Sequence, residues 1–245
     1  NRVMNQEQQW LLNEKYNGIK TSEFENDLKR LKSGEPLAYV IGWQPFCGTK
    51  IYLDSHPLIP RPETEYWVQL AIDEIKKKEN PKVLDLCAGS GCIGVAILKA
   101  IPSSTVDFVE IDESHHVIIL KNIHENGIDE KRTRIFGGSL FENITEQYDV
   151  ILTNPPYIDP NLSDRIGDSV RGQEPDLALF GGTGGMELIR EILAKSGQFL
   201  KSDGVLYIEH EPEQVDEIKK LLPGIVVERD QFGIMRYSLY IKNTE

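Results

Sequence analysis

Asn154-Pro155-Pro156-Tyr157 carries more chemistry per residue than any other stretch of this chain. It follows Val150-Ile151-Leu152-Thr153, a short apolar run that reads as a buried strand. Two prolines stop a strand at once, because neither has an N–H to donate to a sheet ladder. An amide side chain, two stiff rings and a phenol are thereby held at a strand tip. That arrangement suits gripping a flat, nitrogen-bearing group. Taken alone, Asn before Pro also serves simply to turn the chain.

A second constellation lies upstream. Val83-Leu84-Asp85-Leu86-Cys87-Ala88-Gly89-Ser90-Gly91-Cys92 joins a strand pattern to a helical one. Gly89 and Gly91 permit a tight turn and close backbone approach to a ligand. The helix that follows offers free N–H groups and the positive end of its dipole. With Gly94 the spacing is G-x-G-x-x-G, a weak signal by itself. Asp85 argues against a dinucleotide, whose pyrophosphate it would repel. It suits an amine-bearing ligand, and S-adenosylmethionine has an α-amino group, a carboxylate and a sulfonium. In that reading Asp85 takes the amine, while the turn Cys87, Ala88, Gly89, Ser90 and Gly91 and the helix end take the carboxylate. The competing reading is a buried Asp that caps its own turn. About 20 residues past the glycines an acid commonly takes ribose hydroxyls. Glu110 and Asp112 both qualify. Glu110 is preferred because it sits at the strand tip, with Asp112 beginning the next helix.

These segments need elements to position them. From Pro81 onward strand and helix patterns alternate: strands over Lys82–Leu86, Thr105–Ile111, Arg134–Phe136, Val150–Thr153 and Val205–Glu209, helices over Cys92–Ala100, Glu113–His124, Met186–Leu200 and Glu213–Leu222. Such alternation implies an open, mostly parallel sheet with helices on both faces. Ile225–Arg229 and Arg236–Ile241 are joined by a short link and should pair antiparallel. Both constellations then fall at the carboxyl edge of one sheet, where ligands bind. Upstream, residues 5–32 read as two helices broken at Asn17-Gly18, residues 37–53 as a β-hairpin, and about 63–78 as a helix opened by a stiff Pro loop. The expected division is a small helical domain over residues 1–35, a hairpin linker over 36–62 and a main domain over 63–245.

Composition narrows the function. The chain is 40% hydrophobic and 27% charged, ordinary for a globular protein. No apolar run approaches the roughly 18 residues needed to span a bilayer. The net charge of −12 and the absence of a dense basic run disfavour long nucleic acids and suit a basic protein partner. Three cysteines without a CxxC pair, and five histidines without ligand spacing, leave no metal site to expect. His115, His116 and His124 fall on an expected surface helix; His210 lies at a strand tip, where contact with the cleft is the less favoured of two readings.

With Asp85–Gly91, Glu110 and Asn154–Tyr157 in order, the chain resembles class I S-adenosylmethionine-dependent methyltransferases. Leu58-Ile59-Pro60-Arg61-Pro62-Glu63-Thr64-Glu65 narrows this to the HemK/PrmC family. Glu174–Gly182 and Gly184-Gly185-Met186 belong to the same resemblance, which spans about residues 36–242. It implies a Rossmann-like sheet with an antiparallel last strand. It also implies methylation of the side-chain amide of the glutamine in the Gly-Gly-Gln motif of class I peptide-chain release factors. Asn154, Pro155, Pro156 and Tyr157 would be catalytic, and Arg61 and Glu63 would shape acceptor access. For Arg61 a surface pair with Glu63 or Glu65 is the alternative. Phe46 would wall the acceptor pocket or join the core.

The chain departs from the family at three places. The family's N-terminal helical bundle is longer than residues 1–35, so some of it is expected to be missing. Its third strand ends in an acid near the adenine, where this chain offers Ser139, with Leu140 packing beside it. The Gln44-Pro45-Phe46 and Leu86-Cys87 forms lean toward the eukaryotic mitochondrial branch, which implies a mitochondrial matrix location, with a bacterial cytoplasm as the alternative. The expected partner is a release factor met by a monomer, with no membrane and no stable nucleic-acid binding. The competing acceptor is an exocyclic base nitrogen of DNA or RNA, which the same amide-plus-proline grip would fit.

Overall fold

The computed structural model describes residues 4–165, 167 and 172–243. Its centre is a seven-stranded sheet built from β3 (Lys82–Leu86), β4 (Thr105–Val109), β5 (Thr133–Phe136), β6 (Tyr148–Thr153), β7 (Leu200–Glu209), β8 (Val226–Arg229) and β9 (Met235–Ile241). The spatial order is β5-β4-β3-β6-β7-β9-β8. Five strands run parallel, and β9 pairs antiparallel with both β7 and β8. The expected mostly parallel sheet with an antiparallel last strand is therefore present.

The order reverses at β3, whose neighbours are β4 on one side and β6 on the other. Open α/β sheets bind ligands at such a reversal, beyond the carboxyl ends of the strands. Leu86 at the end of β3 is in register with Thr153 at the end of β6. The Thr153 hydroxyl donates to the Leu86 carbonyl at 2.7 Å, tying the two tips together. The glycine turn and the Asn154 tetrapeptide thus leave the sheet side by side.

Helices cover both faces. α4 (Pro62–Ile75), α5 (Cys92–Ala100) and α6 (His116–Glu125) bury Trp67, Ile72, Val95 and Ile119 against one face. α7 (Glu187–Phe199) and α8 (Val215–Leu221) bury Ile189, Ile192 and Ile218 against the other, over Leu84, Ile151 and Leu206. α4 starts with Arg61 as N-cap and Pro62 in its first turn, where a missing N–H costs nothing.

The N-terminal helices α1 (Gln6–Tyr16) and α2 (Ser22–Lys32) break at Asn17-Gly18 as expected. Tyr39-Val40-Ile41, expected as a hairpin strand, instead lies in a third helix, α3 (Leu37–Ile41). Pro36 opens it, Gly42 closes it at φ 96°, and Val40 packs fully buried against Leu11, Leu12, Phe24 and Leu28. Tertiary burial here overrides the strand preference of Tyr, Val and Ile. The hairpin is shorter than expected, with β1 (Trp43–Phe46) paired to β2 (Thr49–Tyr52) across Cys47-Gly48. Both turn residues have positive φ, 44° and 74°, as a tight two-residue hairpin turn requires.

Gly94 is a packing position. A Cβ there would collide with the Phe108 ring and lie 2.9 Å from Val106 Cγ1. Gly94→Ala is expected to cost about 1–3 kcal/mol by overpacking. Thermal denaturation should show this as a Tm loss of about 2–4 °C per kcal/mol.

Candidate active site

Two cavities among the described residues meet at the tips of β3 and β6. The smaller, about 140 Å³, is lined by Cys87 and Gly89 of the turn, Glu110, Asp112, Ser139 and Leu140, and on its far side by Asn154 and Pro156. The larger, about 650 Å³, is lined by Arg61, Asn154, Pro155, Tyr157 and a row of acids that includes Asp159, Glu211 and Glu217. Asn154, Leu58 and Ala178 line both. The tetrapeptide is thus a partition. Pro155 faces the larger cavity, Pro156 the smaller, and Asn154 both.

Asp85 is fully buried, and its two oxygens do different things. Oδ2 accepts the Gly94 N–H at 2.8 Å, capping the first turn of α5 as the local reading expected. Oδ1 is buried with no partner. Such an orphan is costly, and an amine from a ligand would satisfy it. Loss of water pushes the Asp85 carboxyl well above the usual range, the Gly94 N–H opposes this, and the negative charge of Glu110 adds to it. Glu110 accepts the Gly89 N–H at 2.7 Å and the Asp112 N–H at 2.9 Å. Each of its oxygens keeps a further lone pair for a hydroxyl. Asp112 caps the short helical turn that precedes α6, accepting the Ser114 N–H at 2.9 Å.

The other turn residues serve the backbone. Ala88 donates its N–H to Val109, the Ser90 carbonyl accepts from Asn122, and Gly91 lies within 3.3 Å of Phe108 at its missing Cβ. None of these three, nor Asp85, lines the smaller cavity. Phe46 is 1% exposed in the core beneath the hairpin and lines neither cavity, so the core reading of it is correct. Glu63 also lines neither. Arg61 lines the larger cavity, but its partner is neither Glu63 nor Glu65: it pairs with buried Glu174 at 2.6 Å, and Glu174 also accepts the Ile59 N–H. This pair fastens the Pro60–Glu65 loop to the segment whose Pro175, Leu177 and Ala178 line the smaller cavity.

His115 is a second correction. It is buried, lines the smaller cavity and hydrogen-bonds Ser55 Oγ at 2.8 Å, because the short turn at Glu113–His115 rotates it inward. His210 is fully buried between the Ser238 hydroxyl and the Glu211 carbonyl and lines neither cavity; burial pulls it down to about 4.

The residue that sequence reasoning passed over is Glu209, the last of β7. It is 1% exposed, yet accepts hydrogen bonds from Thr64 Oγ1 (2.7 Å), Trp67 Nε1 (2.7 Å) and the Tyr157 hydroxyl (2.9 Å). Thr64 Oγ1 in turn accepts from Asn154 Nδ2 at 3.3 Å. An acid ending a buried strand beside the tetrapeptide's strand was the available signal. Two glycines complete the support: a Cβ at Gly181 would collide with the Pro156 carbonyl, and one at Gly185 with the Tyr157 carbonyl. Gln214 Nε2 also donates to the Tyr157 carbonyl at 2.8 Å. Among the described residues no group of three His, Cys, Asp or Glu could hold a metal ion, and no helix is long and apolar enough to cross a membrane.

This sheet order, with a glycine turn facing an Asn-Pro-Pro-Tyr strand tip, defines a methyltransferase fold. The Methyltransferase small domain family model matches residues 67–167. Among solved structures, a ribosomal protein L11 methylase from Lactobacillus delbrueckii subsp. bulgaricus superposes with a TM-score of 0.57 at 16% identity, covering 78% of this chain and 83% of that one. The T. thermophilus 16S rRNA N2 G1207 methyltransferase, solved with AdoMet and guanosine, gives 0.58 at 16% identity over 82% of this chain and 50% of that one. Curated relatives are more specific. The release factor glutamine methyltransferase of Francisella tularensis is 36% identical, covering 81% of this chain and 70% of that protein. The one from Gloeobacter violaceus is 32% identical, covering 79% and 68%. The chain belongs to the release factor glutamine methyltransferase family.

The raised Asp85 carboxyl has a stability consequence. Unfolded, it titrates near pH 3.9. From about there up to its raised folded value, the unfolded chain has lost a proton that the folded chain keeps, so stability falls as pH rises. Asp85→Asn removes this loss. Its Tm advantage over the parent is expected to be smallest below about pH 4 and to grow toward neutral pH, while calorimetric titration shows weakened S-adenosylmethionine binding.

Proposed function

We propose that this chain methylates the side-chain amide nitrogen, N5, of the glutamine in the Gly-Gly-Gln motif of a class I release factor, with S-adenosylmethionine as methyl donor. The observation that carries the reading is the position of Asn154, which alone of the tetrapeptide lines both cavities. A donor held in the smaller cavity and a glutamine held in the larger would meet there. The groups in and behind the smaller cavity fit the cofactor: Glu110, which lines it, for the ribose, and behind the lining the unpartnered Asp85 oxygen for the amine and the turn with the start of α5 for the carboxylate.

An amide nitrogen is a weak nucleophile because its lone pair is delocalised into the carbonyl. The chain's contribution is to hold it. Asn154 Oδ1 and the Pro155 carbonyl take one N–H each, and among the described residues no protein group donates to either oxygen. The proline rings fix the direction of the Pro155 carbonyl, and Tyr157 packs beside the amide plane. When bound, S-adenosylmethionine supplies an electrophilic methyl whose bond to sulfur breaks, with its electron pair, as the nitrogen takes the carbon. The amide proton leaves afterwards, so no strong base is assigned. Positioning of this kind is worth roughly 7–11 kcal/mol.

The larger cavity also discriminates between acceptors. Asp159, Glu211, Glu213 and Glu217 line it, with Arg61 the one cation among the described lining residues, a poor surface for a phosphate backbone. This favours a protein acceptor over a nucleobase. The separate core of Leu11, Leu12, Phe24, Leu28 and Val40 supports a distinct helical domain before the main one, with its limit nearer residue 41 than 35. The mitochondrial matrix is the proposed location, on the Gln44-Pro45-Phe46 and Leu86-Cys87 forms, and a monomer the proposed state.

Incubation with S-adenosylmethionine and an intact release factor is expected to place one methyl on the Gly-Gly-Gln glutamine, read by mass spectrometry. Transfer to DNA or RNA with none to the release factor would overturn the reading. Asn154→Ala should lower turnover by about 100-fold or more with cofactor affinity, measured calorimetrically, nearly unchanged.

A further inference from the structure

An asparagine side chain has two ends of almost equal size, and packing alone does not choose between them. The choice matters here. With Oδ1 toward the acceptor, Asn154 takes an N–H from the substrate amide. With Nδ2 toward it, donor faces donor and the acceptor nitrogen is pushed away. Something must enforce the orientation from behind.

The geometry points to Thr64, anchored on Glu209, as the positioning residue that turns the Asn154 carboxamide oxygen toward the acceptor. Thr64 is 2% exposed and Glu209 1%. A threonine hydroxyl has one hydrogen and two lone pairs. That hydrogen goes to Glu209 Oε2 at 2.7 Å. Oε2 also takes the Trp67 indole N–H at 2.7 Å. An indole nitrogen only donates and an ionised carboxylate only accepts, so with Glu209 ionised Oε2 takes both hydrogens. Thr64 Oγ1 is therefore left with lone pairs alone on the side of Asn154, where only a donor is welcome. Asn154 Nδ2 fills that position at 3.3 Å, and Oδ1 is turned outward.

The same carboxyl sets the other end of the tetrapeptide, since Glu209 Oε1 accepts the Tyr157 hydroxyl at 2.9 Å. One buried group on β7 thus fixes Asn154 through Thr64 and Tyr157 directly. α4 makes this possible. Thr64 and Trp67 are three residues apart on one helical face, so both reach Glu209 together. Arg61 and Pro62 set where that helix begins. The Pro-Arg-Pro-Glu-Thr-Glu segment, remote in sequence, thereby joins the apparatus that aims the amide.

The inference rests on Asn154 being the group that accepts the substrate N–H. Its test compares Thr64→Val with Thr64→Ser under saturating cofactor and a release-factor substrate. Valine keeps the shape of threonine and loses the hydroxyl; serine keeps the hydroxyl. Thr64→Val is expected to lower kcat about tenfold, the equivalent of one hydrogen bond at about 1.4 kcal/mol, with S-adenosylmethionine affinity unchanged. Thr64→Ser should recover most of the loss. On an Asn154→Ala background, Thr64→Val should bring no further fall. If Thr64→Val does not fold, Thr64→Ala carries the same comparison. Full kcat in Thr64→Val, or equal loss in the Val and Ser variants, overturns the positioning role. Asn154→Ala that keeps its turnover overturns instead the functional reading beneath it, so the two failures are distinguishable.

Discussion

A carboxylate that is 1% exposed must collect its hydrogen bonds from the protein, and Glu209 draws the site together in doing so. Three donors converge on it, from α4 and from the tetrapeptide after β6. Burial alone raises its proton affinity, and the bonds from Trp67, Thr64 and Tyr157 pull it back. Tyr157, half-buried beside that charge, is pushed well above the ordinary phenol range by loss of water and by the carboxyl, and keeps its proton to donate. The helix, the two strand tips and the proline turn are locked to one another by this single group. Trp67 lies stacked between Tyr207 and Tyr237 at 6.3 and 6.0 Å, so the lock is itself embedded in the core.

The rest of the site follows from two strand tips held side by side. Thr153 fastens β6 to β3, which puts the glycine turn and Asn154 on opposite walls of the smaller cavity. Close backbone packing by Gly181 and Gly185, and the reach of Gln214 to the Tyr157 carbonyl, brace the tetrapeptide from the far side. The Arg61–Glu174 pair then brings the 175–178 segment over the smaller cavity. A wall that carries Asn154 on both sides, with Leu58 and Ala178 beside it, would let two bound molecules be held separately and meet at Asn154.

What the sequence made legible was local. The Asp85–Gly91 turn, the strand that ends in two prolines and the alternation of strands with helices are all patterns of neighbouring residues, and the sheet carries them as expected. Asp85 was readable as either cap or ligand group: Oδ2 is the cap, and Oδ1 is left buried without a partner. What was hidden depends on distant partners. Thr64 and Glu209 are 145 residues apart, and Arg61 and Glu174 113 apart, so no spacing rule joins them. Tyr39-Val40-Ile41 misled because its side chains favour strands while its burial against α1 and α2 decides otherwise. His115 misled because a single tight turn before α6 shifts which face looks inward.

The central claim is that Asn154 presents its oxygen, and Pro155 its carbonyl, to a glutamine amide across from the donor cavity. A crystal structure with S-adenosylhomocysteine and a Gly-Gly-Gln peptide tests it directly. The expected result is a glutamine amide nitrogen about 2.7–3.2 Å from both oxygens, with Asn154 Nδ2 still on Thr64. A glutamine seated away from Asn154, or a carboxamide turned with Nδ2 toward the substrate nitrogen, would contradict it.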